Sequence, residues 1–327
     1  MKAAAPVTVQ SMTKVLVLDT HAEIYKDRLQ AEFQALRFVL ARDVADLPPD
    51  VSGIDVLVSF AIDLKDDFYR RATNLKWIQC LATGVDQILR CPSLRPDTLL
   101  TSGRGVHGAP MRETVIYLML GASRGVARLV EDQRAHVWDR RFYSLLSGKT
   151  AVVVGVGVVG TAIGQLLKAF GMHVIGVTRT ARAVEGFDEM TPTGRLKDAA
   201  RSADFLINVL PANTDNSLLF DRGVFESMKP SAYYISAGRG QTVDEPALIA
   251  ALRERRIAGA GLDVFQTEPL PADSPLWDLP NVFITPHLGG YTAEYEDLIM
   301  PLIIENMRLF LAGRPNEMRN IVRRQPS

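Results

Sequence analysis

A glycine-rich turn between a strand and a helix constrains this chain more than any other feature. Residues 150–160 read TAVVVGVGVVG, so an apolar strand runs into Gly155, Gly157 and Gly160. A helical pattern follows, Gly171 can end that helix, and a second strand pattern comes next. In such a unit the first glycine permits the tight turn, the second leaves room for a pyrophosphate, and the third lets the helix pack against the sheet. In this context the pattern predicts a dinucleotide-binding turn, with phosphates at the helix N-terminus.

Short apolar segments alternate with helical patterns along the chain, which favours an α/β fold with parallel sheets. The length of 327 residues suits two domains. The first third has five strand candidates, which are Val15–Asp19, Arg37–Leu40, Val56–Phe60, Lys76–Leu81 and Thr98–Ser102. The second half has six, which are Thr150–Gly155, His173–Thr178, Ala203–Val209, Ala232–Ser236, Ala258–Val264 and Val282–Thr285. Six strands separated by helices predict a doubly wound Rossmann-type sheet.

Three long helical patterns stand out. One covers Met111–Leu129, and another covers Glu245–Arg256, where Asp244 is placed to cap the helix. The third follows Thr292 and contains Pro301, which we expect to kink or break it because an interior proline costs about 3 kcal/mol.

The segment Glu131–Ser147, called the arm below, has two interpretations. It is charged and carries Trp138, Phe142 and Tyr143, which suits a connection that mediates dimerisation, but an exposed helix and loop explain it equally well. We interpret Trp138 as an ordinary core or interface aromatic, and alternatively as a side chain that closes over the substrate from a partner subunit.

The composition argues against several classes of protein. The 37 basic and 37 acidic residues balance, which gives no electrostatic reason for a nucleic-acid or membrane partner. Only two cysteines, Cys80 and Cys91, are present, so we expect neither a disulfide framework nor a zinc site, and a reducing cytoplasm suits the chain. Residues 1–13 lack the apolar core of a signal peptide, and no segment has the roughly 18 apolar residues of a membrane helix.

The end of the second strand of the glycine-rich unit bears on cofactor choice. An NAD site usually has Asp or Glu there, whereas this chain reads VTRTAR, with Thr178, Arg179, Thr180 and Arg182. An acid would repel a 2′-phosphate, but Arg179 could pair with one through charge-assisted hydrogen bonds. The sequence therefore favours NADP(H). If these arginines are only solvated surface, NAD(H) stays possible.

Three polar residues follow three strands of the same predicted sheet. Arg239 follows Ala232–Ser236, Glu268 follows Ala258–Val264, and His287 follows Val282–Thr285. Ligands meet a doubly wound sheet at the carboxyl ends of its strands. The other histidines, His21, His107, His136 and His173, follow no comparable pattern.

These residue types suit the reduction of a 2-keto acid. Arginine holds a carboxylate through a planar fork of donors. A histidine can protonate the carbonyl oxygen as hydride arrives, and a carboxylate bonded to that histidine raises its pKa and orients it. We therefore predict Arg239, Glu268 and His287 as the catalytic set.

The chain resembles the D-isomer-specific 2-hydroxyacid dehydrogenase family, closest to NADP-using members that reduce glyoxylate or hydroxypyruvate. The resemblance covers about Val15 to Ile321. It is densest in GVGVVG, INVLPANTDNSLLF, SAGRGQTVDEPAL, GAGLDVFQTEPLP and SPLWDLPNVFITPHLGG.

The resemblance implies an architecture. A Rossmann-type domain of residues 113–292 would bind the cofactor, and a flavodoxin-like substrate domain would comprise residues 1–112 and 293–327, with the cleft between them closing on substrate. Members are commonly homodimers joined through the cofactor domain.

The resemblance also implies site residues. Arg239 would bind the substrate carboxylate, Glu268 would partner the histidine, and His287 would be the acid/base. Backbone amides of Thr83, Gly84 and Val85, in LATGVDQI, would meet the carboxylate. The segments that match would line the cofactor through Gly155, Gly157, Val158, Val159, Gly160, Thr178, Arg179, Thr180, Arg182, Leu210, Pro211, Thr214, Ala237, Gly238, Asp263 and Gly289.

The chain departs from the family pattern at a few positions. Thr178 stands where NAD-using members carry Asp, and Arg112 stands where a small residue is common, without a physical explanation from the sequence. Two rival functions stay open. A cofactor-sensing binding protein with little turnover would keep the same fold, and formate oxidation would require Gln in place of Glu268.

Overall fold

A computed structural model describes residues 12–61, 64–180 and 182–322. Residues 1–11, which are most of the segment predicted to lack a signal peptide, lie outside these ranges. Two compact units are present: unit 1 contains Met1–Val106 and Ala293–Ser327, and unit 2 contains His107–Thr292. Among the described residues, no helix combines the length and the apolar character that crossing a membrane demands.

Unit 1 contains a five-stranded parallel sheet in the order β2-β1-β3-β4-β5. Its strands are β1 Lys14–Leu18, β2 Arg37–Ala41, β3 Val56–Ser59, β4 Trp77–Cys80 and β5 Leu99–Thr101. Its helices are α1 Ala22–Glu32, α2 Asp66–Arg71, α3 Asp86–Leu89 and α10 Tyr295–Leu311. This strand order is the flavodoxin-like order, as the resemblance implied.

Unit 2 contains a seven-stranded parallel sheet in the order β12-β11-β10-β9-β6-β7-β8. The strands are β6 Thr150–Val154, β7 His173–Thr178, β8 Glu189–Pro192, β9 Phe205–Asn208, β10 Tyr233–Ser236, β11 Gly259–Leu262 and β12 Val282–Ile284. The helices are α4 Gly108–Arg124, α5 Val126–Arg134, α6 Val158–Ala169, α7 Leu196–Ser202, α8 Arg222–Ser227 and α9 Glu245–Arg253. The order reverses between β6 and β9, which is the switch point of a doubly wound Rossmann-type sheet.

Both sheets are covered on two faces, because successive residues of a strand enter different cores. In β1, Val15 and Val17 belong to one apolar cluster and Leu16 and Leu18 to another. In β6, Val152 and Val154 likewise face a different core from Ala151 and Val153. Strands buried on both faces read as continuous apolar runs, which is why the sequence located them.

One strand and two helices differ from the sequence prediction. The edge strand β8 was missed, since Glu189–Pro192 reads EMTP and neither alternates nor forms an apolar run. The pattern at Met111–Leu129 is two helices, because Gly125 adopts φ +63° between α4 and α5. Of the two outcomes expected at Pro301, a break is wrong, because α10 continues through it, and a kink stays a prediction.

Helix α10 tolerates its proline because both sides of it are anchored in the core. Pro301 itself is exposed, whereas Ile299, Met300, Leu302 and Ile303 are buried. A proline at this position leaves the carbonyl of Asp297 without its helical donor, and Asp297 lies on the exposed face, where water can serve that carbonyl. Burial of the apolar face therefore outweighs the local cost.

Candidate active site

The glycine-rich turn has the geometry that its sequence predicts. Gly155 follows β6 with φ +107°, a conformation that side chains with a Cβ rarely adopt. A Cβ on Gly160 would lie 1.9 Å from the carbonyl oxygen of Gly155, so only glycine lets α6 pack on the turn. Gly157 is the N-cap of α6, and Val158 and Val159 are the first residues of that helix.

The middle glycine is not required by protein packing. Apart from its two chain neighbours, no atom of the described residues would lie within 4 Å of a Cβ on Gly157, in contrast to Gly160. Its position at the N-terminus of α6, where free amides and the positive end of the helix dipole lie, fits a phosphate group. These residues therefore fit a dinucleotide.

The loop after β9 lies beside the glycine-rich turn across the switch point. Val154 of β6 pairs with Asn208 of β9, so Gly155 and Val209 leave the sheet as neighbours. Leu210 and Pro211 continue this loop, and Thr214 begins a short 3₁₀ helix. All of these predicted cofactor residues therefore stand at the carboxyl edge of one sheet.

The end of β7 carries the predicted cofactor-selecting residues. Thr178 is the last residue of β7, and Arg179 and Thr180 follow it on the surface. The Arg179 side chain is 82% exposed, and its guanidinium lies 3.7 Å from the Asp215 carboxylate. Arg182 is also exposed. No acidic side chain belongs to the segment 178–180 itself.

The predicted catalytic residues follow three neighbouring strands. Arg239 follows β10, Glu268 follows β11 and His287 follows β12, and these strands pair in parallel. Parallel neighbours end at the same edge of a sheet, so the three loops meet there. Ala237 and Gly238 lead from β10 to Arg239 and are both buried.

Glu268 and His287 form a hydrogen-bonded pair. His287 Nδ1 lies 2.7 Å from Glu268 Oε2, while Glu268 Oε1 accepts a 2.9 Å bond from the backbone amide of Phe265. Burial raises the pKa of the Glu268 carboxyl. The bonds from His287 and Phe265 and the charges of His287 and Arg239 outweigh that effect, so the pKa lies below its ordinary value. The ionised carboxylate only accepts, so Nδ1 carries the hydrogen of this bond.

The other nitrogen of the His287 ring is available for chemistry. The His287 side chain is 41% exposed, and within the described residues its Nε2 atom makes no hydrogen bond. With Nδ1 donating to Glu268, Nε2 accepts a proton in the neutral ring and donates one in the imidazolium. The pair is thus arranged to exchange one proton at Nε2.

Arg239 supplies an unpaired positive charge next to this pair. Its Nη1 donates to the carbonyl of Gly238 at 2.7 Å, and no described carboxylate lies within 4 Å of the guanidinium. Its charge nevertheless lowers the pKa of the Glu268 carboxyl, which places the two side chains near each other. Unused N–H donors on a part-buried guanidinium suit an anionic ligand.

Asp263 holds the turn that carries His287. Its Oδ1 accepts from the hydroxyl of Thr285 at 2.5 Å and from the amide of Leu288 at 2.8 Å. Its Oδ2 accepts from the amide of Gly289 at 2.9 Å, and its carbonyl accepts from the amide of His287. His287 adopts φ +54°, an uncommon conformation for a non-glycine residue, and these four bonds stabilise it.

The predicted substrate loop belongs to unit 1. Thr83, Gly84 and Val85 follow β4 and lead into α3, and Val85 is the N-cap residue of that short helix. Their contribution to substrate binding stays a prediction.

Sequence reasoning missed several polar residues of unit 2. Asn208, Ser236 and Thr242 are fully or almost fully buried and bonded to one another beneath the Arg239 turn. One signal for Asn208 was available, because it is a polar residue inside the apolar strand pattern FLIN.

The expectation that the remaining histidines lack a comparable setting is wrong for His21, and His173 Nε2 also lies 3.2 Å from Glu189 Oε1. His21 Nδ1 lies 2.5 Å from Glu296 Oε1, so these two side chains form a histidine–glutamate pair in unit 1. The partners are 275 residues apart in sequence, and no local pattern connects them. Of the two expectations for Trp138, a core position is wrong, because its side chain is 91% exposed, and an interface position stays a prediction.

Comparisons with known proteins identify the family of this chain. The family profile described as "D-isomer specific 2-hydroxyacid dehydrogenase, NAD binding domain" matches residues 116–289. Glyoxylate/hydroxypyruvate reductase B of Pectobacterium carotovorum is 34% identical over 277 residues, which is 82% of this chain and 86% of that protein.

A further curated relative and one solved structure are also similar to this chain. D-3-phosphoglycerate dehydrogenase of Mycobacterium leprae is 35% identical over 266 residues, covering 79% of this chain, which spans about half (49%) of that relative. The crystal structure of a D-isomer specific 2-hydroxyacid dehydrogenase from Xanthobacter autotrophicus Py2, in complex with NADPH and MES, has a TM-score of 0.81 and 29% identity, covering 96% of this chain and 98% of that one. The chain belongs to the D-isomer-specific 2-hydroxyacid dehydrogenase family.

Proposed function

We propose that this chain reduces a small 2-keto acid of the glyoxylate or hydroxypyruvate kind to the D-2-hydroxy acid with NADPH, reversibly. The observation that carries the proposal is the Glu268–His287 pair, whose Nδ1–Oε2 distance is 2.7 Å, beside the uncompensated guanidinium of Arg239. A 2-keto acid needs both a cation for its carboxylate and a proton for its carbonyl oxygen.

Each of the three side chains has one task. Arg239 binds the carboxylate through its free N–H donors. His287 donates the Nε2 proton to the carbonyl oxygen, and in the reverse direction it removes the hydroxyl proton. Glu268 accepts from Nδ1, which fixes the ring orientation and stabilises the imidazolium. Hydride transfer in either direction would be the chemistry that a nicotinamide cofactor supplies when it is bound.

The residues at the turn support binding of the cofactor. Gly155, Gly157 and Gly160 with the N-terminus of α6 would hold the pyrophosphate, and the 209–214 segment would line the other side. Asp263 and Gly289 belong to the bonded turn that carries His287.

The preference for NADP(H) rests on the end of β7. The segment 178–180 contains Arg179 and no acidic residue. An acidic side chain in this segment would repel the 2′-phosphate of NADP(H). The relative from Xanthobacter autotrophicus Py2 was solved with NADPH. We expect NAD(H) to bind as well, because the pyrophosphate site does not distinguish the two cofactors. Its affinity should be lower, because it lacks the 2′-phosphate that Arg179 would contact.

The test is a spectrophotometric screen of small 2-keto acids with NADPH and NADH in parallel. We expect oxidation of NADPH with glyoxylate or hydroxypyruvate and slower oxidation of NADH. Tight NADPH binding without turnover across the whole panel would reject the enzyme and favour a cofactor-sensing protein.

Cofactor choice has its own variant. Replacing both Arg179 and Arg182 by Ala should remove the NADPH preference and leave kcat with NADH within about twofold, since the pair acts only on the 2′-phosphate. The matched control replaces two exposed arginines elsewhere, Arg195 and Arg201, by Ala. An NADPH preference that survives the first double variant contradicts the assignment.

A homodimer through the arm is part of the proposal. Trp138 and Phe142 are 91% and 107% exposed, which is unusual for large apolar side chains. The segment is nevertheless tied to its own chain, because Arg124 stacks on Tyr143 at 3.7 Å and Arg141 pairs with the buried Asp132 at 2.7 Å. A second copy would cover this apolar surface. Light scattering should report a dimer for the wild-type protein and a monomer for the double variant Trp138→Ser, Phe142→Ser.

Residence of the protein in the cytoplasm stays a prediction.

A further inference from the structure

A buried amide connects the two loops that the proposed function uses. Asn208 is the last residue of β9 and is 0% exposed. Its Oδ1 accepts a 3.1 Å bond from the amide of Leu210, and its Nδ2 donates to the hydroxyl of Thr242 at 2.8 Å. The first bond belongs to the loop beside the glycine-rich turn, and the second leads to the Arg239 turn.

The hydroxyl of Thr242 extends this chain of hydrogen bonds from Asn208 to the backbone of Arg239. Because Asn208 donates to it, the hydroxyl is free to donate onward, and it lies 2.7 Å from the carbonyl oxygen of Arg239. The backbone amide of Thr242 also donates to that carbonyl at 3.2 Å. The chain of bonds therefore has one direction, from the Asn208 amide through Thr242 to the backbone of Arg239.

The two loops are also in direct contact. A Cβ on Gly238 would lie 2.5 Å from the carbonyl oxygen of Leu210 and 2.7 Å from its nitrogen, so the residue before Arg239 lies against the Leu210 backbone. Displacement of one loop would therefore be transmitted to the other. Buried amides and hydroxyls with all bonds made are costly to disrupt, which gives the connection a fixed geometry.

We propose that Asn208 and Thr242 are positioning residues that set the place of Arg239 relative to the cofactor loop. This inference rests on the proposed function, in which Arg239 binds the substrate carboxylate. Neither residue touches substrate in this proposal, and both act through the backbone of Arg239.

The first test uses Thr242→Val, which is nearly isosteric and lacks the hydroxyl. We expect KM for the keto acid to rise about tenfold, the effect of one lost buried hydrogen bond, while kcat and the NADPH Kd change less than about twofold. Thr242→Ser keeps the hydroxyl and should restore KM. Asn208→Leu also removes the bond to Leu210, so it should weaken NADPH binding as well.

A matched control separates positioning from general destabilisation. Thr101 in unit 1 is equally buried, and its hydroxyl lies 2.9 Å from both Trp77 Nε1 and Gln79 Oε1. Thr101→Val should lower Tm as Thr242→Val does and leave KM unchanged. Equal KM values for the two valine variants would overturn the proposal.

A second readout does not depend on turnover. Phenylglyoxal modifies guanidinium groups, and peptide mass spectrometry gives the rate at Arg239 relative to the exposed Arg222 of the same sample. Thr242→Val and Asn208→Leu should raise this ratio at least about threefold, and Thr242→Ser and Thr101→Val should not. If wild-type protein reduces no keto acid, the proposed function fails, and this ratio still decides the positioning role. An unchanged ratio overturns it.

Discussion

Among the described residues, each unit of the molecule has one histidine–glutamate pair in which Nδ1 lies within 2.7 Å of the carboxylate, and these two pairs have different surroundings. In unit 1, His21 Nδ1 lies 2.5 Å from Glu296, and in unit 2, His287 Nδ1 lies 2.7 Å from Glu268. Both histidines follow a strand of a parallel sheet closely. By distance alone the pairs are equivalent.

Their neighbours separate them. Around His287, four bonds to Asp263 hold the turn, and the unpaired Arg239 lies close to Glu268. Around His21, the further groups are the carboxylate of Asp19 and the buried hydroxyl of Tyr25. The hydrogen bond and the charge of Glu296 raise the pKa of His21, with a smaller contribution from Asp19. A proton-donating histidine next to a cation can act on an anionic substrate. A proton-donating histidine surrounded by carboxylates lies in a site that repels such a substrate.

The largest expected effect is the loss of the proton donor. His287→Asn should lower kcat for keto-acid reduction by a factor of about 10²–10⁴, the usual contribution of a positioned general acid. His21→Gln, in the other pair, should leave kcat within about twofold. Initial rates with NADPH measure both. Equal losses in the two variants would show that the pairs do not differ in function.

The second prediction removes the charge of each glutamate. Glu268→Gln retains a hydrogen-bonding side chain but no longer stabilises the imidazolium, so kcat should fall about 10- to 100-fold, matching about 1.5–3 kcal/mol for a hydrogen bond to a charged group. Glu296→Gln should not change kcat. A Glu268→Gln enzyme with wild-type kcat would exclude this carboxylate from the mechanism.

The third prediction concerns the turn that Asp263 holds around His287. Asp263→Asn places an amide among donors from Thr285, Leu288 and Gly289, so one carboxylate oxygen is replaced by a group that cannot accept. The free energy of unfolding should fall by about 1–3 kcal/mol, measured by urea titration, and kcat should fall with it. Unchanged kcat in a destabilised variant would mean that the turn does not orient His287.

The smallest effect is the pH dependence of stability at His21. Because folding raises the pKa of His21, its contribution is fully present below its ordinary value of about 6.5 and is lost as the pH rises through the raised value. The Tm of wild-type protein should therefore exceed that of His21→Gln at pH 5.5 and equal it at pH 9. The side chain is 58% exposed, so the difference will be small. A difference that grows with pH contradicts the assignment.

The sequence located the secondary structure well where the strands are buried on both sides. Thr150–Val154 and His173–Thr178 agree with their predicted bounds within one residue, because apolar runs bounded by turn residues leave little choice. The cap of α9 is also confirmed, since Asp244 accepts from the amide of Ala247. The misses are elements that tertiary contacts maintain against local preference, such as the edge strand β8 and the proline inside α10.

What the sequence determined by itself is local. The spacing of Gly155, Gly157 and Gly160 after an apolar strand specifies a turn, and the placement of Arg239, Glu268 and His287 after three strands specifies which residues can meet at one edge. These features depend on neighbours within about 20 residues.

Tertiary structure decided which distant side chains become partners. The bond between His21 and Glu296 spans 275 residues, that between Asn208 and Thr242 spans 34, and that between Asp263 and Gly289 spans 26. Strand order and register bring these atoms together. No residue pattern encodes such a pairing, because each partner's own segment would look the same without the other.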